Sequence, residues 1–118
     1  MSVRLPTDLW VDALIRRASV AGASGFVTQR GDAERGAVLV KVSKLNGEAQ
    51  VFVPRTDMDG TRVFVDMALE GLAAEEREID AYLDRAKARD TDLWVIEIED
   101  REGRHFLTEP VRTVSEAD

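Results

Sequence analysis

The chain opens with a helical rhythm. From Trp10, apolar residues recur three and four apart at Ala13, Leu14 and Ala18, and Val11 and Ile15 widen the stripe. Pro6 fixes the entry, Thr7 or Asp8 can cap the first turn, and Gly22 and Gly25 release the chain. The rhythm then switches to twos. Residues 26–30 form a short strand, and GDAERG at 31–36 is a turn bracketed by glycines. The strongest strand signal is AVLVKVSKL at 37–45. There Val38, Val40 and Val42 point one way and Lys41 and Ser43 the other, with Leu39 breaking the alternation. Asn46-Gly47 is a tight hairpin signal because both residues tolerate positive φ, so 50–53 should pair back, and Pro54 stops that ladder or marks an edge. A loop at 57–60 leads to a strand at 62–67.

A second helix is predicted over 73–89. Ile79, Tyr82, Leu83 and Ala86 form its apolar stripe; Glu75, Glu76 and Glu78 lie near its start, and Arg85, Lys87 and Arg89 near its end, matching the helix dipole. Residues 93–99 alternate as a strand. DREG at 100–103 reads as a turn, and 104–108 as the return strand. The order α-β-β-β-β-α-β-β predicts an α+β fold: a mostly antiparallel sheet of about five to six strands, with two helices packed on one face. Residues 1–112 are expected to form a single domain, and 113–118 a polar, flexible tail.

The pentapeptide TDLWV occurs at 7–11 and again at 91–95, and its two copies hold both tryptophans. The first continues as DALIRRA with helical spacing, the second as IEIED with strand alternation. It is therefore not a repeated fold unit. In each copy a polar Thr-Asp start precedes Leu and Trp that anchor an element. Trp10 and Trp94 are expected in the core, or at an interface rim where the indole N–H finds a partner.

Composition narrows the function classes. With 44% hydrophobic and 33% charged residues, 118 residues suffice for a packed core and a solvated surface. The lack of cysteine removes disulfides and thiolate metal sites and fits a reducing compartment. MSVRLPTDLW has no apolar signal core, and no run is long enough for a membrane helix, so the expectation is a soluble cytoplasmic protein that binds no membrane. The net charge is −7. Residues 1–59 carry eight basic and seven acidic side chains (+1), and residues 60–118 carry eight and sixteen (−8). That acidic half argues against nucleic acid as a partner and is suited to orienting a basic partner or a second copy of the chain.

Few residues carry candidate chemistry. DMDGT at 57–61 matches a phosphatase-type DxDGT motif by itself, but Pro54-Arg55-Thr56 separates Asp57 from the apolar strand that should deliver it. A calcium loop wants glycine at its sixth position, where Arg62 stands. If the DREG hairpin closes, Glu99 faces His105 across the ladder with Glu97 on the same face, a candidate acid/base or metal-dependent catalytic set; its bland counterpart is a solvated Glu–His pair. Arg16, Arg17 and Arg30 are candidates for binding a small anion, or serve the helix dipole and solubility. No Ser/His/Asp set, phosphate loop or cofactor motif is readable, so no cofactor and no metal site are expected.

The segments LPTDLWVDALIRRASVAG, RGDAERGAVLVKV and DTDLWVIEIEDREGRHFL resemble a small bacterial family, domain of unknown function 1491, found mainly in alphaproteobacteria. The resemblance runs from about Leu5 to Leu107, with DLWVIEIED its most specific part. It implies a stand-alone single domain and transfers no activity. The leading expectation is a non-catalytic protein-interaction module, acting on an unknown protein partner or by self-association. The alternatives are a small enzyme using Glu97, Glu99 and His105, or an anion binder using Arg16, Arg17 and Arg30.

Overall fold

The computed structural model describes residues 5–114. The elements are α1 (Thr7–Val20), β1 (Ser24–Gln29), β2 (Val38–Ser43), β3 (Ala49–Thr56), β4 (Arg62–Asp66), a 3₁₀ turn at Met67–Glu70, α2 (Glu76–Arg89), β5 (Trp94–Glu99) and β6 (Val111–Arg112). This is the α+β order that the sequence predicts. The strands make one six-stranded sheet, β1-β5-β2-β3-β4-β6. Pairs β1/β5, β2/β3 and β3/β4 are antiparallel, and β2/β5 and β4/β6 are parallel, so the sheet is mixed with antiparallel pairs in the majority.

The helices do not share a face. Val11, Leu14 and Ala18 of α1 pack with Val38, Val40, Val42, Phe52, Phe64, Trp94, Ile96 and Ile98. Ile79, Leu83 and Ala86 of α2 pack with Leu39, Val51, Val53, Val63, Val65 and Val95. Alternate residues of each central strand thus enter two different cores, and all six residues of β2 are buried. Leu39 breaks the two-residue rhythm because the face it points to is covered as well.

The return strand expected at 104–108 is absent. The DREG turn does form, with Gly103 N donating to Asp100 O (2.9 Å) and Gly103 at φ +72°. No edge of β5 is left to accept a hairpin partner, however: β1 holds one side and β2 the other. The Asp100 carboxylate instead takes the Arg104 amide (2.8 Å) and its guanidinium (2.9 Å). The Arg104 hydrogen bonds hold that carboxyl below the usual range. The chain then crosses the α1 face, tied by Arg17 Nε to Phe106 O (3.0 Å) and Trp10 Nε1 to Glu109 Oε2 (2.7 Å), and adds β6 beside β4.

Three boundaries shift for local reasons. Asp8 Oδ1 accepts from the Leu9 amide, but the Thr7 and Asp8 amides bond carbonyls of Glu34 and Ala33, so the loop after β1 caps α1. α2 starts at Glu76 rather than 73 because the preceding residues are extended against the hairpin: Ala49 N donates to Ala74 O and Glu76 N to Gly47 O. Pairing of β3 with β2 stops at Phe52, short of Pro54, while pairing with β4 runs on through Pro54 to Thr56. Of the tail expected at 113–118, residues 115–118 lie outside the described residues.

Candidate functional site

The sheet holds a charged cluster under α2. Lys41 is buried, and its Nζ contacts Glu76 Oε2 (2.7 Å), Asp80 Oδ1 (2.8 Å) and Glu97 Oε1 (3.4 Å). Register puts Lys41 directly beside Glu97 on the parallel β2/β5 pair, and Glu76 and Asp80 are one helical turn apart on α2. Burial pushes the ammonium pKa down. The hydrogen bonds that the ammonium donates to Asp80 and Glu76, and the attraction of Glu97, outweigh it, so the net shift is upward. Glu97 moves the unfavourable way: burial raises its carboxyl, and the Lys41 charge only partly offsets this. Lys41 is thus held by the two α2 carboxylates, with Glu97 the weaker partner at the longer distance. One ammonium against three carboxylates leaves −2, and Glu99, two residues along the same face, adds to it.

This imbalance sets a measurable sign. A carboxyl whose folded pKa lies above its ordinary 4.5 favours folding below pH 4.5, and that contribution is lost as pH rises through the folded pKa. At pH 7 ionised Glu97 therefore opposes folding. Glu97→Gln is expected to raise stability at pH 7, with the gain shrinking toward pH 4 in urea melts. A loss of stability at pH 7 would show that Glu97 is needed to hold Lys41.

The sequence-nominated residues do not converge. Glu97 and Glu99 lie on the α2 face. His105 sets its ring edge-on to Phe52 (centroids 5.1 Å apart) on the α1 face, and its Nδ1 accepts the Leu107 amide (3.0 Å). Among the described residues no group of three or more His, Asp or Glu side chains could hold a metal ion. Arg16 is exposed on α1, Arg17 is tied to Phe106 O, and Arg30 lies over the Trp94 ring (4.8 Å). Trp94 is fully buried, donating Nε1–H to Asp32 O (2.7 Å). Trp10 is half-buried and stacks on Phe64 (5.6 Å). The two indoles join one core on the α1 side of the sheet.

Sequence reasoning missed two features. The first is the outer edge of β1. Its residues, SGFVTQ, carry no charge, and Phe26 and Val27 are 41% and 39% exposed. Gly25 packs on Ile15 and Ile98, so Val27 shares the α1 side and Phe26 lies on the α2 side, directly beside Glu97. The register slips between Val27 and Gln29, with Thr28 Oγ1 donating to Val95 O (3.2 Å), which leaves Ser24–Val27 as the regular stretch of the edge. The second is a cleft of about 510 Å³ whose lining residues include Arg35, Arg55 and Arg62. These three arginines lie on separate elements without fixed spacing, so no motif announces them.

The family sequence pattern described as protein of unknown function, DUF1491, matches residues 5–108. The chain belongs to the DUF1491 family. The crystal structure of a DUF1491 family protein from Caulobacter crescentus CB15 is 50% identical, with a TM-score of 0.86 over 92% of this chain and 100% of that one. The NMR structure of a DUF1491 family protein from the same organism gives 49% identity and 0.83 over 95% and 100%. The solution structure of Atu0922 from A. tumefaciens gives 32% and 0.75 over 94% and 98%. A comparison with curated proteins finds no match. DUF1491 membership fixes the fold and brings no assigned activity. Among the described residues of this DUF1491 chain, no helix is long and apolar enough to cross a membrane.

Proposed function

We propose that this DUF1491 protein is a non-catalytic interaction module that adds a basic, extended segment of another protein to the edge of β1. The open, uncharged β1 edge carries the reading. A strand edge offers backbone donors and acceptors to an incoming chain, and proteins that avoid such pairing place Lys or Pro there. β1 has neither. Phe26 and Val27 supply apolar contact on the two faces. The acidic flank selects the partner: Glu97 pairs with Phe26 and Glu99 with Ser24 in the β1/β5 ladder, inside a cluster with excess negative charge. A second copy of a chain with net charge −7 would bring like charge to like, whereas a segment bearing Lys or Arg gains from it. The cysteine-free composition suits action in the cytoplasm.

A peptide of about six residues alternating lysine and valine serves as the probe. Titrated into labelled protein at low salt, it is expected to shift the backbone amide resonances of β1, and Phe26→Asp is expected to weaken it about tenfold or more. Shifts elsewhere, or binding unchanged by Phe26→Asp, would overturn the reading. A dimer by light scattering that Phe26→Asp dissolves would replace the basic partner with a second copy.

A further inference from the structure

We infer that the outer face of α1 is a self-association surface, on which two copies of this chain pair their first helices antiparallel about a twofold axis. The exposed residues of α1 are Leu9, Asp12, Arg16, Ser19 and Val20, and helical spacing puts them on one stripe opposite the buried Val11, Leu14 and Ala18. Leu9 is 52% exposed and Val20 81%. The outer face of α2 is different: its exposed residues are all charged apart from Ala88. The two TDLWV copies part in the same way, since Leu93 is buried and Leu9 at the matching position faces water.

The order along the stripe names the occupant. From either end it runs apolar, charged, charged, apolar: Leu9, Asp12, Arg16, Val20. A twofold axis reverses the second helix and keeps each flank beside the same flank of its mate. With Leu9 level with Val20 of the second copy, Asp12 falls within one residue of the second copy's Arg16, about 1.5 Å along the axis. Two apolar contacts at the ends and two ion pairs nearer the middle then form together. Parallel pairing would instead set Asp12 against Asp12 and Arg16 against Arg16. Among the described residues neither Asp12 nor Arg16 makes an ion pair within the chain, so both charges are available. Ala13 and Ser19 are small, and a shallow groove runs along the helix from Asp12 to Val20, which lets two backbones approach. The helix is also rigidly seated: Gly25 of β1 packs on Ile15 at one flank, and Arg17 is tied to Phe106 O at the other. Asp8 and Asp12 balance Arg16 and Arg17, so the net charge of −7 that disfavours a second copy at the acidic β1 edge is not carried by α1. This surface is independent of the β1 reading, because Phe26 lies on the α2 side of the sheet.

One face of a 14-residue helix buries less than the roughly 1,200 Å² of a stable interface, so the pair is transient. Sedimentation equilibrium of the whole protein at pH 7 and physiological salt is expected to show monomer and dimer with a dissociation constant between about 10 µM and 1 mM. Asp12→Arg and Arg16→Asp, both at exposed positions, should each keep the fold and weaken self-association about fivefold or more, because each sets like charges together at both ion-pair positions. An equimolar mixture of the two variants should associate again, each offering the other the opposite sign. The double variant Asp12→Arg/Arg16→Asp should dimerise as wild type does, and so should Phe26→Asp. A protein still monomeric at about 1 mM, single variants that dimerise as wild type does, or a mixture that fails to associate would overturn the pairing. A dimer dissolved by Phe26→Asp and kept by Arg16→Asp would overturn it as well, by moving the contact to β1.

Discussion

Lys41→Met is expected to lower the unfolding free energy by about 3–5 kcal/mol at pH 7, measured by urea denaturation. The side chain is buried, so methionine fits the space and the loss is electrostatic. Removing the ammonium leaves Glu76, Asp80 and Glu97 facing one another with no other cation of the described residues in ion-pair contact with them. Three carboxylates left together oppose folding as long as they are ionised. Acidification should therefore restore the variant relative to wild type, and adding Glu97→Gln should recover part of the loss at pH 7. The alkaline limb runs the opposite way. The raised pKa of Lys41 means that its contribution is complete below 10.5 and is lost as pH climbs through the folded value. Wild type should lose stability at high pH by this route and Lys41→Met should not. A variant within about 1 kcal/mol of wild type at pH 7 would mean that α2 docks through its apolar stripe alone.

Gly36→Ala is expected to cost about 3 kcal/mol, the upper end of what overpacking costs, read by thermal and urea melts. The glycine is buried where the loop after β1 crosses β5. A Cβ there would collide with the Asp92 carbonyl oxygen and come within 2.8 Å of Trp94 Cδ1. Both obstacles are rigid. Asp92 O accepts the Asp32 amide (3.0 Å), and the Trp94 indole is fixed by its bond to Asp32 O. The same loop supplies the carbonyls that cap α1, so the strain should reach the first turn of the helix. Gly22→Ala is the control. At φ +91° with open space around it, that change should show only the smaller cost of a left-handed alanine, about 1 kcal/mol. Equal effects at the two positions would show that the loop moves aside.

Element order was legible because local signals set it: the three- and four-residue spacing in α1 and α2, Asn46-Gly47, and alternation in 62–67 and 93–99. Layering was harder to read. Lys41 sits among valines and looks like an outward residue, and only the docking of α2 on that side turns it inward. Leu39 was the available clue, since an apolar residue out of phase in a strand fits a sheet covered on both faces. The 104–108 strand failed because a turn signal says nothing about whether the edge beside it is free. β5 fills both edges with partners distant in sequence, so its tight turn leads into a crossing segment. The Glu97, Glu99 and His105 set comes apart for a related reason. Alternation placed Glu97 and Glu99 together correctly, but His105 joined them only through the hairpin. Arg35, Arg55 and Arg62 share no periodicity, so no spacing in the sequence announces the cleft that they help to line.

The position of β5 between β1 and β2 also schedules how the chain can fold as it is made. Val27 pairs with Ile96, 69 residues later, and β2 receives its second neighbour from the same late strand. At about 5–20 residues per second, a ribosome delivers that partner roughly 3–14 s after β1. Until then α1 and β1 can only hover beside an unfinished β2–β3–β4 meander, with the face that Trp94, Ile96 and Ile98 will complete still open to water. A nascent chain stalled before Trp94 should accordingly remain sensitive to protease across its first 30 residues, while the meander gains protection earlier.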